Sequence, residues 1–150
     1  MKVEKATVED ARAIHALIAQ CAGDGRMLPR PLGDIYRNIR EFYVVRDDEG
    51  LVGCGALVVV WDKLGEVRSV AIREDARGKG AGSRIVEACL EEARSLGLPS
   101  VFVLTYETEF FARFGFAVVD KATLPHKVWS DCVNCPKFPD CDEEAMLLEL

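Results

Sequence analysis

The feature that most constrains this chain is a loop with three glycines in five residues, which leads directly into an amphipathic helix. The loop, residues 77–82, reads RGKGAG, and apolar residues then recur at helical spacing as far as Leu96. The segment before the loop, residues 41–72, alternates apolar runs with the turns DDEG and DKLG. This pattern predicts an antiparallel meander of three strands that ends where the loop begins.

The remaining patterns complete an α/β domain with a mixed sheet. We predict strands at 2–7, 42–46, 51–61, 66–72, 100–106, 116–119 and 144–150. Thr7 is a plausible N-cap for a first helix with one apolar face, and a short helix precedes residue 42. The apolar faces are Ala11, Ile14, Leu17, Ile18 and Cys21 in the first helix, Leu32, Ile35, Tyr36 and Ile39 in the second, and Ile85, Val86, Cys89, Leu90, Ala93 and Leu96 after the loop.

Charge and hydropathy exclude several partners. Acidic residues outnumber basic ones by 25 to 19, which gives a net charge of -6 and argues against binding to nucleic acid or to an anionic membrane. The longest apolar run, ALVVVW at 56–61, is too short to cross a bilayer, and the N-terminus does not resemble a signal peptide. We therefore expect a cytoplasmic protein that holds any anionic ligand with a local cluster of Arg and Lys.

The glycine-rich loop has the chemistry of a phosphate site. The first N–H groups of a helix lack partners within the helix, and glycines allow an anion to approach them without meeting a Cβ atom. The spacing fits neither a P-loop nor a dinucleotide-binding turn. From the loop alone, a flexible turn without a ligand stays open. The basic side chains beside the glycines are Arg77, Lys79 and Arg84.

Residues 67–97 resemble the acyl-CoA-binding core of the GNAT N-acetyltransferases, in which a strand leads into an Arg/Gln-x-x-Gly-x-Gly/Ala loop and a helix. Residues 77–82 match that loop in full, and Gly115-Phe116 matches the later "GF" of the family. The resemblance implies one GNAT domain over residues 1–150, with a mixed, mostly antiparallel sheet of six to seven strands and flanking helices. It implies acetyl-CoA as cosubstrate, with the pyrophosphate on the loop and the pantetheine arm along the strand. The implied cofactor-binding residues are Val70, Ala71, Ile72, Arg77, Gly78, Lys79, Gly80, Ala81, Gly82 and Ser83.

Within that superfamily, the chain resembles the acetyltransferase part of N-acetylglutamate synthases in their short bacterial form. The motifs are MLPR (27–30), GEVRSVAI (65–72), VFVLTYETEFFARFGF (101–116) and LPHKVW (124–129). They imply transfer of an acetyl group from acetyl-CoA to the α-amino group of L-glutamate, in arginine biosynthesis. Another acceptor (glutamine, another small amine or a protein lysine) and a non-catalytic acyl-CoA-binding adaptor remain open. The family also implies a possible homodimer.

Acyl transfer to an amine defines the catalytic candidates. The amine must be neutral to attack, so a proton acceptor is needed, and Glu66 matches a position proposed for this in the family. A solvated carboxylate at the start of a strand is the alternative. Many superfamily members place a Tyr where this chain has Phe111, so Tyr106 is the nearest substitute as a leaving-group acid, and an ordinary, partly buried tyrosine without a catalytic role is the alternative. A backbone N–H near Val70 and Ala71 is expected to stabilise the oxyanion.

A dicarboxylate acceptor needs cationic clamps, and Arg binds carboxylate best because its fork is bidentate. Arg30, Arg68 and Lys127 each lie in a resembling motif. Each is also an ordinary surface charge when taken alone, although Arg68 lies within an apolar strand, where a charge needs a reason.

Three cysteines cluster in the loop at 126–142. Cys132, Cys135 and Cys141 are spaced C-x2-C-x5-C, and the first pair has the spacing of a zinc knuckle. A zinc site, a reversible redox pair and plain thiols remain open. The three other cysteines lie singly in apolar patterns and are predicted to be buried.

Overall fold

The computed structural model describes residues 2–124 and 142–150, in which seven strands form one mixed sheet of order β1-β2-β3-β4-β5-β7-β6. The described pairs β1/β2, β2/β3, β5/β7 and β6/β7 are antiparallel, whereas β4 and β5 run parallel. Helices flank the sheet, so the predicted α/β fold class is confirmed. The strands are β1 Lys2–Lys5, β2 Phe42–Asp47, β3 Gly50–Trp61, β4 Leu64–Ile72, β5 Ser100–Thr105, β6 Ala117–Val119 and β7 Glu144–Glu149, and the helices are α1 Ala11–Gly23, α2 Leu32–Arg37, α3 Ala81–Ser95 and α4 Thr108–Ala112.

The contacts divide the chain into two compact units, and unit 1 comprises Met1–Val58 and Val67–Glu92. Helix α1 buries the face that its periodicity predicts, against α2 and the strands β2 and β3. Cys21 and Cys54 belong to this core as free, buried thiols. Its buried members are Ala11, Ile14, Leu17, Ile18, Cys21, Ile35, Phe42, Val44, Cys54, Ala56 and Ala71.

Unit 2 comprises Val59–Glu66 and Ala93–Leu150, and it is organised around β5. The first residues of β4 pair in parallel with β5, and the other edge of β5 pairs antiparallel with β7 along its whole length. The pairing places alternate apolar side chains of three strands on one face, where they form a small core. Its buried members are Leu64, Phe102, Leu124 and Ala145.

Element boundaries differ from the predicted ones where side chains compete for the backbone. Thr7 begins a 3-10 turn, Val8–Asp10, and its N–H donates to Oδ2 of Asp10 at 2.8 Å, so α1 begins at Ala11. The prediction that Leu96 joins the buried stripe of α3 is wrong, because α3 ends at Ser95 and Leu96 is 55% exposed. In α2 the predicted apolar face is also incomplete, since Tyr36 is 39% exposed. No helix in the described ranges is long and apolar enough to cross a membrane.

Candidate functional site

The glycine-rich loop connects β4 to α3 with an open, bare backbone. Gly78 and Gly80 have φ of 79° and 92°, in the left-handed region that favours glycine, and both are exposed. A Cβ atom at either position would meet no heavy atom within 4 Å. The N–H of Arg84 donates to the Gly80 carbonyl at 3.1 Å, which places the start of the helix at the loop. The N–H groups of the preceding turn therefore lack intrahelical partners and can receive a phosphate without obstruction.

The basic side chains of the loop differ in their surroundings. Arg77 is half-buried, and its Nη2 lies 3.7 Å from Sγ of Cys21 and 4.0 Å from Oδ2 of Asp24, at the end of α1. Lys79 and Arg84 are exposed. The first position of the loop is thus anchored to the neighbouring helix, while two cations remain at the surface beside the glycines, where an anion would approach.

Strand β4 contains a residue in a strained conformation just before Val70. Ser69 has a φ of 60°, and it is the one non-glycine residue with positive φ in the described part of the chain. Such a conformation costs about 1–3 kcal/mol and persists only when its surroundings hold it. Here Oγ of Ser69 accepts from Nη1 of Arg30 at 3.1 Å, and its carbonyl oxygen accepts from Sγ of Cys54 at 3.6 Å. Sequence reasoning missed Ser69, and its residue type carries no signal for this backbone.

Arg30 lies inside a group of charged side chains in unit 1. Its side chain is 10% exposed, and Nε and Nη2 donate to Oδ2 of Asp34 at 2.9 and 2.7 Å. Burial raises the pKa of Glu41, while the positive charges of Arg30 and Arg68 act in the opposite direction. Two of the three predicted clamps, Arg30 and Arg68, therefore act electrostatically on the same carboxylate. Asp34 and Glu41 were missed, although the i, i+4 spacing of Arg30 and Asp34 was a usable signal.

The two catalytic candidates lie in unit 2. Glu66 is the third residue of β4, opposite Phe102 in the parallel pair with β5, and is 7% exposed. The alternative of a solvated carboxylate is therefore wrong. Tyr106 directly follows β5, and its hydroxyl donates to Oδ1 of Asp142 at 2.5 Å. The phenolic proton is thus directed to a carboxylate. Phe111 is buried in α4.

Four predicted residues lie outside the described part of the chain: Lys127, Cys132, Cys135 and Cys141. Within the described ranges, no group of three or more His, Cys, Asp or Glu side chains could hold a metal ion. The buried thiols behave as predicted, and burial raises the pKa of Cys54 and of Cys89 to about 12, so neither is a reactive thiolate near neutral pH.

Residues 11–116 match the Acetyltransferase (GNAT) family. Among relatives, the uncharacterized N-acetyltransferase CT2212 of Chlorobaculum tepidum is 40% identical over 99% of this chain and 96% of its own length. The amino-acid acetyltransferase of Mycobacterium tuberculosis is 40% identical over 86% of this chain and 75% of its own. The N-acetylglutamate synthase of Neisseria gonorrhoeae, solved with coenzyme A and N-acetyl-glutamate, superposes with a TM-score of 0.88 at 26% identity, over 99% of this chain and 35% of that one.

The match covers well over half of the chain, and the loop that carries the family's motif has an accessible backbone. The chain belongs to the GNAT acetyltransferase family. It is an acyl-CoA-dependent N-acetyltransferase with acetyl-CoA as its cosubstrate, as the sequence predicted.

Proposed function

We propose that the protein transfers the acetyl group of acetyl-CoA to the α-amino group of L-glutamate. The observation that carries the proposal is Arg68, a half-buried arginine of β4 that lies two residues before Val70. A half-buried guanidinium in the strand expected to hold the acyl group suits an acceptor that carries carboxylates. Relatives that are named amino-acid acetyltransferases, and a synthase solved with N-acetyl-glutamate, support the same acceptor.

The loop suits the pyrophosphate of acetyl-CoA. The space beside the Cα atoms of Gly78 and Gly80 is open, and Arg77, Lys79 and Arg84 supply positive charge. The N–H groups of Ala81, Gly82 and Ser83 would donate to the phosphate oxygens at the positive end of α3. The backbone of residues 70–72 would pair with the pantetheine arm. Peptide groups then supply most of the donors, which explains how a chain of net charge -6 binds an anionic cosubstrate.

The reaction exchanges a C–S bond for a C–N bond and removes one proton from the amine nitrogen. The neutral α-amine attacks the thioester carbonyl carbon, a C–N bond forms, the C–S bond breaks, and CoA leaves as a thiolate. Glu66 takes the amine proton directly or through water. Its burial shields the carboxylate from bulk water, which suits a general base. A backbone N–H near Val70 and Ala71 stabilises the oxyanion. The thiolate takes its proton from water, or from the hydroxyl of Tyr106 once the hydrogen bond of that hydroxyl to Asp142 is broken.

The test is turnover with a panel of acceptors. The purified protein and acetyl-CoA are incubated with one acceptor at a time: glutamate, glutamine, other amino acids and a lysine peptide. The acetylated product is followed by mass spectrometry, because the six cysteines of the chain interfere with thiol reagents. We expect N-acetylglutamate as the main product. Faster turnover of another compound would replace glutamate as the proposed acceptor. Binding of acetyl-CoA without any product would favour a non-catalytic acyl-CoA-binding adaptor.

Arg68 supplies the sharper test of the acceptor. Arg68→Ala removes a charged donor, so we expect the KM for glutamate to rise about 30-fold while the KM for acetyl-CoA stays unchanged. Arg12→Ala is the matched control, because Arg12 is exposed on α1 and should leave both constants unchanged. An unaltered glutamate KM in Arg68→Ala would rule out Arg68 as a clamp.

Six expectations from the sequence remain predictions. They are a single domain, Lys127 as a further clamp, zinc on the tail cysteines, a homodimer, a role in arginine biosynthesis and a cytoplasmic location.

A further inference from the structure

The side chains around Arg30 form a continuous chain of hydrogen bonds from the end of α2 to β4. Asn38 donates through Nδ2 to Oδ1 of Asp34 at 3.1 Å and to the Asp34 carbonyl oxygen at 2.9 Å. Asp34 in turn accepts from Arg30, and Arg30 donates to Oγ of Ser69. This series of hydrogen bonds therefore ends on Ser69, the residue of β4 whose backbone is strained. Ser69 lies directly before the segment expected to hold the acyl group.

This arrangement fixes the guanidinium of Arg30. Asp34 accepts two of its N–H groups and Ser69 accepts a third, while the Phe42 ring centre lies 5.2 Å from the guanidinium carbon. A guanidinium carries five N–H donors in one rigid plane, so an incoming carboxylate meets at most the two that are left. It also meets a cation whose charge Asp34 already balances. Arg30 is therefore built less as a carboxylate clamp than as a support for Ser69.

We propose that Asp34 is a positioning residue: it holds Arg30 on Ser69 and so fixes the strained segment of β4 for the transfer step. The proposal rests on the proposed function, because the placement of Ser69 matters to the rate only if Val70 and Ala71 line the acyl group. Asp34 adds a negative charge near the acceptor and so opposes binding of an anion. Its contribution is therefore to the rate of transfer and not to acceptor affinity.

The variant that tests this is Asp34→Asn, which keeps the shape of the side chain and removes its charge. We expect kcat to fall about tenfold, because a neutral amide holds the guanidinium less firmly. The KM for the acceptor should not rise, and the KM for acetyl-CoA should stay unchanged. Arg30→Lys should show the same division between kcat and KM, because an ammonium has no planar fork. Asp48→Asn is the matched control, an exposed carboxylate in the β2–β3 turn, and should change none of the three constants.

A double-mutant cycle of Asp34→Asn with Ser69→Ala tests whether the two residues act through the same chain. If they do, the double variant loses little more activity than either single variant. Losses in kcat that simply multiply would overturn the proposal. The cycle also supplies a second route if Asp34→Asn folds poorly, because Ser69→Ala and Arg30→Lys each remove one link with Asp34 in place.

A spectroscopic readout is independent of turnover. The Nε–H of Arg30, held by a carboxylate, should give a resolved signal in a ¹H–¹⁵N spectrum that exchanges slowly with water, and Asp34→Asn should shift it or broaden it away. A signal that Asp34→Asn leaves unchanged would overturn the proposal. Absence of turnover by the wild-type protein with every acceptor would instead defeat the proposed function. Wild-type turnover with an unaltered kcat in Asp34→Asn would defeat this inference alone.

Discussion

Two pairs of glycines in unit 1 look alike in the sequence, GCG in β3 and GKG in the loop before α3, yet their surroundings are opposite. In β3, a Cβ atom on Gly55 would lie 2.5 Å from Cγ2 of Ile85, and one on Gly53 would lie 2.7 Å from Cδ1 of Ile72. Neither strand glycine has a left-handed φ. In the loop, Gly78 and Gly80 have left-handed φ and no neighbour within reach of a Cβ atom.

The comparison separates glycines that serve packing from glycines that leave the backbone open, as the proposed acyl-CoA loop requires. The strand glycines leave room for Ile72 of β4 and Ile85 of α3, whose side chains pack against the backbone of β3. The loop glycines leave room that no protein atom uses. Substitutions in β3 should therefore reduce the free energy of unfolding, whereas substitutions in the loop should chiefly reduce affinity for acetyl-CoA.

The largest effect is expected for Gly55→Ala. The atom it would meet, Cγ2 of Ile85, is attached directly to Cβ near the α3 backbone and cannot swing away. We expect the free energy of unfolding to fall by about 3 kcal/mol, measured by urea denaturation. Gly23→Ala in α1 is the control, because no atom lies within 4 Å of its Cβ position and its φ is not left-handed. It should raise stability by about 0.5 kcal/mol, and a loss equal to that of Gly55→Ala would show that crowding is not the cause.

Gly80→Ala should separate ligand binding from backbone strain. Its Cβ atom would stand where a phosphate approaches the helix, so we expect the Kd for acetyl-CoA, measured by titration calorimetry, to rise about tenfold. Stability should also fall by about 1 kcal/mol, because alanine is strained at a φ of 92°. Gly97→Ala is the matched control, with a φ of 81° and no atom within 4 Å of its Cβ position. It should lose similar stability and keep the wild-type Kd; weaker binding there would attribute the effect to strain.

The same contrast marks what the sequence allows to be predicted. The loop was found because its signal is local: three glycines, basic neighbours and an amphipathic helix all fall within one short stretch. The strand glycines were placed correctly in β3, but their purpose depends on contact with Ile85, about 30 residues further along the chain. Periodicity gave the apolar faces of α1 and α3 except at Leu96, where the helix ends one residue too early.

The proposed acceptor side is less predictable from the sequence, because its contacts join distant residues. The motifs select Arg30 and Arg68, and the charges of both lower the pKa of Glu41 against the effect of its burial. The motif carried no information that Asp34 takes two of the donors of Arg30, or that Ser69 is strained. The hydroxyl of that strained residue accepts a hydrogen bond from a residue 39 positions earlier in the chain. Serine is compatible with many backbone conformations, so neither residue type nor spacing could have indicated it.

The smallest effect is expected for Gly53→Ala, which tests whether crowding in β3 is graded by the stiffness of the neighbour. The atom it meets first, Cδ1 of Ile72, is the far end of a flexible side chain that can change rotamer. The backbone oxygen of Ala71, at 3.3 Å, needs to give by only a few tenths of an ångström. We expect stability to fall by about 1 kcal/mol, well short of the loss in Gly55→Ala. Because Ile72 belongs to the segment expected along the pantetheine arm, the Kd for acetyl-CoA should also rise, by about threefold. Equal losses of stability in the two strand variants would mean that β3 tolerates no Cβ atom at either site. An unaltered Kd for acetyl-CoA in Gly53→Ala would argue against the proposed contact between Ile72 and acetyl-CoA.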